Sequence, residues 1–578
     1  MRLALRLNPL WTSVFHAGIV YLALEACALP PSPWALPRAG AAHLRSRACG
    51  AGCDRKRRAP SPTLPPPSPL FLFSPRRSFA AVTEYAGGLA PGASTPFLRF
   101  ASPVPGNDAM TESLARIPAT RVTELPSGLR VATETHPGAA TAAVTLLLDS
   151  GSRYESAASN GAAHFLEHLS FKGTSRRTRD ALEREVEDRG AHLNAYTTRE
   201  HTVYFAQGGA AQVPALVDLL ADVTLSSVLD AGAVERERGV IAQEAAEVHK
   251  VPEEVVLDQL HATAFQRSPL GHTILGPADN VARMTREHLL DYVQTHYTAP
   301  RMVLVGAGGV DHDELVKLAE KHFASAPGCG PAKDGVPARP TTAEALAAAP
   351  ARFVGSDVRI REPSDKRCHV AIAFEGASHT SADLPALQLW QRAIGEYSPA
   401  ASTDNHRGSP LARRLAGLVS ADGSPAVDQM FSFATPYADT GLFGVYLSCD
   451  ADEERLYPAM VQAMRELTRP VYESDTPESL DALTRARQSL KSASLATQAS
   501  FASIASEIGT QLLTLGRRVT REEQFARWDA VDARALADVA ERTVVDRDPA
   551  LAAFGETFYL NRYCDYNWVR RRSYRQRF

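Results

Sequence analysis

The stretch HFLEHLSFKGT, residues 164–174, places two histidines and a glutamate within five positions. Residues three and four apart lie on one face of a helix, so His164, Glu167 and His168 would point the same way. Two imidazoles at this spacing can bind one metal ion, with the carboxylate beside it. The alternative is an ordinary polar helix face, because so short a pattern also occurs by chance. The rest of the sequence must therefore decide between a metal site and a polar surface.

The chain is long enough for several domains, and its composition is that of a globular protein. It has 578 residues, of which 44% are hydrophobic and 22% are charged. This length predicts two to four domains with sizeable cores. Residues 101–578 carry 50 basic and 62 acidic side chains and have no stripe of basic and aromatic residues. The sequence therefore gives no support for nucleic-acid binding.

The first 100 residues differ from the rest of the chain in charge and in proline content. They carry 12 Lys and Arg against three acids, and they hold 14 of the 39 prolines. We expect residues 1–105 to be a disordered mitochondrial targeting leader, because Arg-rich, acid-poor segments are typical of such leaders. A secretory signal is the alternative, since the apolar run AGIVYLAL at 17–24 precedes ACA at 26–28. The basic character extends far beyond that run, which favours the mitochondrial interpretation.

The cysteines of the body are few and widely spaced. Cys329, Cys368, Cys449 and Cys564 form no CxxC pair, which excludes a compact cysteine zinc module. Unpaired thiols are typical of a reducing compartment.

The pattern of elements predicts an α+β fold with two tandem homologous domains, each an antiparallel sheet covered by helices. The segment from Met284 to Gly308 resembles the segment from Val531 to Gly555, at an offset of 247 residues. We expect a catalytic domain at 118–335, a linker near 331–352 and a non-catalytic domain at 353–578. No histidine occurs after residue 406, so the second copy cannot hold the same metal site.

A third metal ligand is expected on another helix, because zinc hydrolases use three protein ligands and an open position. The segment ERERGVIAQEAAEV, residues 235–248, places Glu237 and Glu244 on one helical stripe with Val240, Ile241 and Val248. A carboxylate among aliphatic side chains is costly unless a cation or a hydrogen bond compensates. From the residues alone, pairing with neighbouring arginines explains these glutamates as well as a metal does.

The body, residues 118–578, resembles the inverted-zincin peptidases of the pitrilysin type, most closely the catalytic β-type chains that process mitochondrial presequences. The resemblance rests on GSRYESAASNGAAHFLEHLSFKGT, GAHLNAYTTREHTVYFA, ERERGVIAQE, HATAF with LGHTILGP, FATPYADTGLFGVYL and DYNWVRRRSYRQRF. It implies one Zn²⁺ ion per chain, with His164, His168 and Glu244 as ligands. It also implies Glu167 as the general base and Glu237 as a supporting carboxylate of the catalytic site.

The resemblance also implies how substrate is bound. The segment LNAYT at 193–197 matches the family's edge strand, so Asn194, Ala195 and Tyr196 would line an added peptide strand. Glu254 and Asp258 lie four residues apart and would bind the arginine that precedes the cut. Phe171 would contact an aromatic residue after the cut.

The partners and the location follow from the same resemblance. The family's catalytic chain works with an α subunit that carries a glycine-rich loop, and the matching region here, 401–417, has only two glycines. We therefore expect a heterodimer that acts on presequence-bearing precursors in the mitochondrial matrix or at the matrix face of the inner membrane. The alternative is a core subunit of respiratory complex III, the cytochrome bc1 complex, and one chain can fill both roles. A broad-specificity oligopeptidase is disfavoured by the leader.

Overall fold

The structure is a computed structural model that describes residues 117–330, 339–399, 409–420, 422–563 and 566–574. The predicted leader, residues 1–105, lies outside the described residues, and so do Cys564 and residues 401–408 of the region that matches the partner's glycine-rich loop. The predicted domain bounds at 118–335 and 353–578 stay predictions.

Twelve strands build the two sheets of the described chain. They are β1 (Arg121–Glu124), β2 (Arg130–Thr135), β3 (Thr141–Leu148), β4 (His192–Thr197), β5 (Thr202–Gly209), β6 (Met302–Gly308), β7 (Ser356–Arg361), β8 (Arg367–Glu375), β9 (Glu396–Tyr397), β10 (Val427–Pro436), β11 (Gly441–Asp450) and β12 (Ala550–Gly555).

Eighteen α-helices are described, and most of them cover the two sheets. They are α1 (Ala162–Ser170), α2 (Arg179–Asp188), α3 (Val213–Leu225), α4 (Ala231–Val248), α5 (Pro252–Ala264), α6 (Ala278–Arg283), α7 (Arg286–His296), α8 (His312–His322), α9 (Thr342–Ala348), α10 (Leu384–Ile394), α11 (Pro410–Ala416), α12 (Glu453–Tyr472), α13 (Pro477–Ala496), α14 (Phe501–Leu515), α15 (Arg521–Asp529), α16 (Ala533–Val544), α17 (Phe558–Tyr563) and α18 (Tyr566–Tyr574).

Five strands of each sheet follow the same order, and the sixth lies at a different edge, β1 beside β2 in the first sheet and β9 beside β10 in the second. This shared order confirms the predicted α+β class with two tandem units. Their strand orders are β1-β2-β6-β3-β5-β4 and β7-β12-β8-β11-β10-β9. In each sheet one pair is parallel, β2 with β6 and β7 with β12, and the other pairs are antiparallel. The prediction of antiparallel sheets therefore holds except for one pair in each.

The predicted repeat coincides with equivalent elements of the two sheets. Helix α7 leads into β6 in the first copy, and α16 leads into β12 in the second. Gly308 and Gly555 end these strands at the offset of 247 residues, and both have φ +96°, which favours glycine. The same left-handed turn thus closes the same strand in both copies.

Each half contributes one helix to the sheet of the other half, a feature that the sequence pattern did not predict. Helix α5 lies in the first half, but its Val256 and Leu260 pack on Ala371 and Ala552 of the second sheet. Helix α14 lies in the second half and packs on β2, β3 and β6 of the first sheet. The two halves therefore share their cores, and neither sheet is covered by local helices alone.

Cys329, Cys368 and Cys449 form no disulfide in the described part of the chain, as the spacing predicted. None of the helices in the described ranges is long and apolar enough to span a bilayer.

Candidate metal centre and edge-strand cleft

The candidate metal helix is α1, and its first turn is fixed by a buried carboxylate. Gly161 precedes the helix with φ +105°, a conformation that favours glycine, and a Cβ there would lie 3.0 Å from the Gly276 Cα. Glu155 accepts hydrogen bonds from the backbone N–H groups of Gly161 (2.8 Å) and Ala163 (2.7 Å), and from the Asn160 side chain (2.7 Å). These bonds satisfy N–H groups that a helix start leaves unpaired.

The structure brings the three predicted ligands together. On α1, His164 and His168 have ring centroids 4.7 Å apart. Glu244, on α4, places its Oε2 atom 3.6 Å from His164 Nε2 and 3.2 Å from His168 Nε2. One potential ligand atom from each of the three residues lies within 4.8 Å of the others, and this is the one such cluster in the described part of the chain.

The two imidazoles of this cluster differ in protonation when no metal is bound. Burial, followed by the nearby charge of His168, lowers the pKa of His164 to about 4, so its imidazole is neutral and able to bind a metal. Burial alone would lower the pKa of His168, but the neighbouring carboxylates of Glu237 and Glu244 raise it to about 9. Burial likewise opposes ionisation of Glu244, yet the two imidazoles hold its pKa below the usual value.

Glu237 supports the cluster from the side. Its Oε2 lies 3.3 Å from His168 Nδ1, and its Oε1 accepts from the Lys172 ammonium at 2.9 Å. The carboxylate is only 7% exposed. Although burial favours the neutral acid, the bonds from His168 and Lys172 lower the pKa of Glu237 to about 2. A carboxylate on the second imidazole nitrogen orients the first nitrogen toward a metal.

Glu167 lies on the same face of α1 but has a different environment. Burial raises its pKa to about 7, and the Thr197 contact and the charge of His168 offset only part of this rise. A carboxylate with a pKa near neutrality is suited to general base catalysis.

The donor set fits a zinc ion. Two imidazoles and one carboxylate are a ligand set typical of catalytic zinc. Glu244 Oε2 is buried and has no hydrogen-bond partner among the described residues, although two imidazole nitrogens lie within 3.6 Å of it. A cation at this point would satisfy the orphaned oxygen, so His164, His168 and Glu244 are the residues that would hold it.

Strand β4 offers a free edge to a peptide. Among the described residues, it is the last strand of the first sheet and pairs on one side with β5 only. Ala195 is buried, so its side chain faces the core, whereas Asn194 and Tyr196 are half-buried. The Asn194 Oδ1 atom accepts from the Ala195 N–H at 2.9 Å. The predicted role of these three residues in binding substrate stays a prediction, and the free edge supports it.

The predicted arginine-binding carboxylates lie on α5 and are half-buried. Asp258 Oδ1 accepts from the Arg199 guanidinium at 2.6 Å, so this carboxylate already has one internal cation partner. Glu254 lies one turn earlier on the same helix. Phe171 follows α1 and is half-buried, with its ring centroid 6.4 Å from that of Tyr204. The binding roles of these residues stay predictions.

The sequence analysis did not predict the roles of three residues that shape the site. Glu155 caps the metal helix, Lys172 neutralises Glu237, and Arg199 pairs with Asp258. Lys172 lies one helical turn beyond His168, a spacing that signals a neighbour of the metal helix. Glu155 and Arg199 carried no local signal, because their partners are brought to them only by the fold.

Comparisons with known proteins identify the family of this chain. The model of the insulinase family, peptidase family M16, matches residues 130–278, and the model of the M16 inactive domain matches residues 283–486. A protein of Arabidopsis thaliana named probable mitochondrial-processing peptidase subunit beta is 44% identical over 83% of this chain and 86% of its own length. The human mitochondrial-processing peptidase subunit beta is 41% identical over 77% and 86%.

A solved structure shows the same fold. A chain of complex III2 from Candida albicans matches 78% of this chain and 99% of its own length, with a TM-score of 0.66 and 23% identity. The sequence resemblance to presequence-processing β-type chains is confirmed by the relatives above. This chain belongs to peptidase family M16, in the group of relatives named mitochondrial-processing peptidase subunit beta.

Proposed function

We propose that this peptidase is a zinc endopeptidase that removes N-terminal targeting presequences from imported mitochondrial precursors. The observation that carries the proposal is the convergence of His164, His168 and Glu244 within 4.8 Å, next to Glu167. The names of the M16 relatives supply the substrate class.

The side chains have distinct roles in this proposal. A zinc ion held by the three ligands would supply Lewis acidity and a water molecule of lowered pKa. Glu167 takes the proton of the attacking water and later gives it to the leaving amine. Glu237 accepts from His168 Nδ1 and so fixes the direction in which His168 Nε2 points.

The free edge of β4 positions the substrate. An extended peptide would bind as an added strand, and its backbone N–H and C=O groups would pair with the edge of β4. The internal bond from Ala195 N–H to Asn194 would be exchanged for one of these bonds. Glu254 and Asp258 on α5 would bind the arginine before the cut, because a guanidinium donates several charge-assisted hydrogen bonds at once.

The chain is proposed to work in the mitochondrial matrix, or at the matrix face of the inner membrane, with an α subunit. The relatives are named subunit beta of a mitochondrial enzyme, which supports both statements. The region that would match the partner's glycine-rich loop, 401–417, has only two glycines, so the loop would come from the other subunit. Association with respiratory complex III is a second proposed role, supported by the shared fold.

Cleavage of a presequence peptide by the full chain, expressed with a partner that carries the glycine-rich loop, tests the proposed function. Glu254→Gln should lower kcat/KM by about 30- to 100-fold on a peptide with arginine before the cut, since one charge-assisted contact is lost. The same variant should change kcat/KM little on the Arg→Ala peptide. Glu247→Gln is the matched control, because that side chain is 61% exposed and pairs with Lys250.

If Glu254→Gln lowers kcat/KM equally on the arginine peptide and on the Arg→Ala peptide, the arginine site lies elsewhere. Asp258→Asn is a less specific probe, because it also removes the partner of Arg199. Absence of any cleavage by the wild-type pair, with zinc bound, would contradict the peptidase assignment and favour the core-subunit role. Co-migration with complex III on a native gel measures that second role directly.

A further inference from the structure

Three stretches of the sequence that carry charged residues are not explained by the metal site itself. GSRYE at 151–155, TREH at 198–201 and PYADT at 436–440 contain charged residues that the proposed chemistry does not use. In the structure these three stretches meet in one place.

Their charged side chains form an ion triad between the two halves of the chain, in which Arg153 and Glu200 are buried and the Asp439 side chain is 27% exposed. Arg153 Nη1 donates to Glu200 Oε1 at 2.7 Å, and Arg153 Nη2 donates to Asp439 Oδ2 at 2.6 Å. The side chains of Arg153 and Glu200 are only 2% and 4% exposed. The backbone N–H of Ala438 also donates to Glu200. Asp439 and Ala438 lie in the turn 437–440 between β10 and β11, so the second half supplies the third member.

The first branch of the triad leads to the metal helix. Arg153 is two residues before Glu155, whose carboxylate accepts from the N–H groups of Gly161 and Ala163 at the start of α1. Ala163 directly precedes the predicted ligand His164. A shift of the segment 151–155 would therefore move the start of the metal helix.

The second branch leads to the edge strand. Glu200 is three residues beyond the end of β4, in the tight turn that joins β4 to β5. This turn is held against the first branch by the Arg153 N–H bond to the Arg199 C=O, at 2.8 Å. Gly151 permits the close approach, because a Cβ there would lie 2.5 Å from the Thr198 oxygen.

We infer that Arg153, Glu200 and Asp439 form a latch that sets the position of the edge strand β4 relative to the metal helix α1. The three are positioning residues, since none of them is among the predicted ligands or substrate contacts. Asp439 belongs to the half without metal ligands, so that half helps to fix the position of β4 relative to α1. The inference rests on the proposed function for its effect on cleavage, but its structural part stands without it.

The structural part is tested by hydrogen exchange of the full zinc-loaded chain. Asp439→Ala should increase amide exchange in both 162–170 and 192–197. Glu375→Gln is the matched control: this exposed acid of the second half accepts from Thr440 in the same turn but does not contact Arg153. The control should leave both segments unchanged. If Asp439→Ala does not fold, Asp439→Asn replaces it, because the amide oxygen can still accept from Ala351 N–H.

The functional part is tested by cleavage with the partner subunit. Asp439→Ala should retain one zinc per chain and lose about tenfold in kcat/KM, because a displaced peptide lies off the reactive geometry. Glu200→Gln should lose a similar factor, and the double variant should lose less than the product of the two, since both act through Arg153. Unchanged exchange in 162–170 or 192–197, or fully multiplicative losses, would overturn the latch. Failure of the wild-type pair to cleave would overturn the proposed function only, because the exchange result is independent of cleavage.

Discussion

Replacement of Glu237 by glutamine measures how much the supporting carboxylate contributes to the metal centre. The wild-type carboxylate is 7% exposed and bonds both to His168 Nδ1 and to the Lys172 ammonium. Glutamine keeps the shape and one acceptor oxygen for His168, but it removes the charge that Lys172 needs. The variant therefore leaves a half-buried ammonium without its partner and weakens the orientation of His168.

The structure gives two magnitudes for Glu237→Gln. Loss of an oriented partner on a metal-bound imidazole lowers metal affinity by about 10- to 100-fold. In the metal-free protein, the pKa of Glu237 is held at about 2 against a usual value of 4.5. A lowered carboxyl pKa stabilises the fold above about pH 4.5, and the benefit disappears as the pH falls toward 2. The shift corresponds to about 3 kcal/mol at pH 7.

Zinc affinity is measured by titration against a competing chelator, and stability by urea unfolding of the metal-free protein at pH 7 and pH 3. Glu235→Gln is the matched control, because Glu235 is on the same helix, is 71% exposed and pairs with Arg238. The control should match the wild type in both assays. If Glu237→Gln binds zinc as tightly as the control, Glu237 does not orient His168. A stability loss that is equally large at pH 3 would refute the electrostatic argument.

Three further predictions test other parts of the structure. Glu167→Gln should lower turnover by about 10²- to 10⁴-fold with zinc content unchanged, and normal turnover of this variant would exclude Glu167 as the base. The kcat/KM of the wild type should fall as the pH drops through about 7, because the Glu167 carboxylate then takes up a proton. Glu155→Ala should destabilise the protein by about 1–3 kcal/mol in urea unfolding, because buried N–H groups of α1 lose their acceptor; a neutral result means that water replaces it. Gly509→Ala should cost about 1–3 kcal/mol, since its Cβ would collide with Leu147 across the α14 contact, whereas Gly239→Ala has open space and should be neutral or slightly stabilising.

The sequence predicted those parts of the site that depend on local spacing. His164, Glu167 and His168 share a face because they lie on one turn of helix, and Glu237 and Glu244 share a stripe for the same reason. The repeat at an offset of 247 residues also predicted two copies of one sheet, and Gly308 and Gly555 end equivalent strands. Periodicity carries such information because each element is built from its own residues.

The parts that were not predicted depend on contacts between distant segments. The apolar pattern of helix α5 predicts a buried face but does not indicate which sheet that face covers. The structure shows that Val256 packs on the second sheet. Arg153 and Asp439 are 286 residues apart, so no local spacing links them. The resemblance assigned Asp258 to the substrate arginine, and no local spacing linked it to Arg199, with which the structure pairs it.

The exchange of helices explains how a half without metal ligands can still affect a site in the other half. Helix α5 carries Glu254 and Asp258, which we propose bind the substrate arginine, yet its apolar face packs on the second sheet. The metal ligands lie on α1 and α4, outside that contact, with α1 packed in the core of the first sheet. The distance from the arginine site to the metal is therefore set partly by how the two sheets are held together. Substitutions in the α14 contact, such as Gly509→Ala, would disturb this arrangement from the opposite side without touching either group of residues. Gly509→Ala should therefore cleave less selectively at the site after arginine while it still binds zinc. Loss of zinc would instead show that the core of the first sheet has been disrupted.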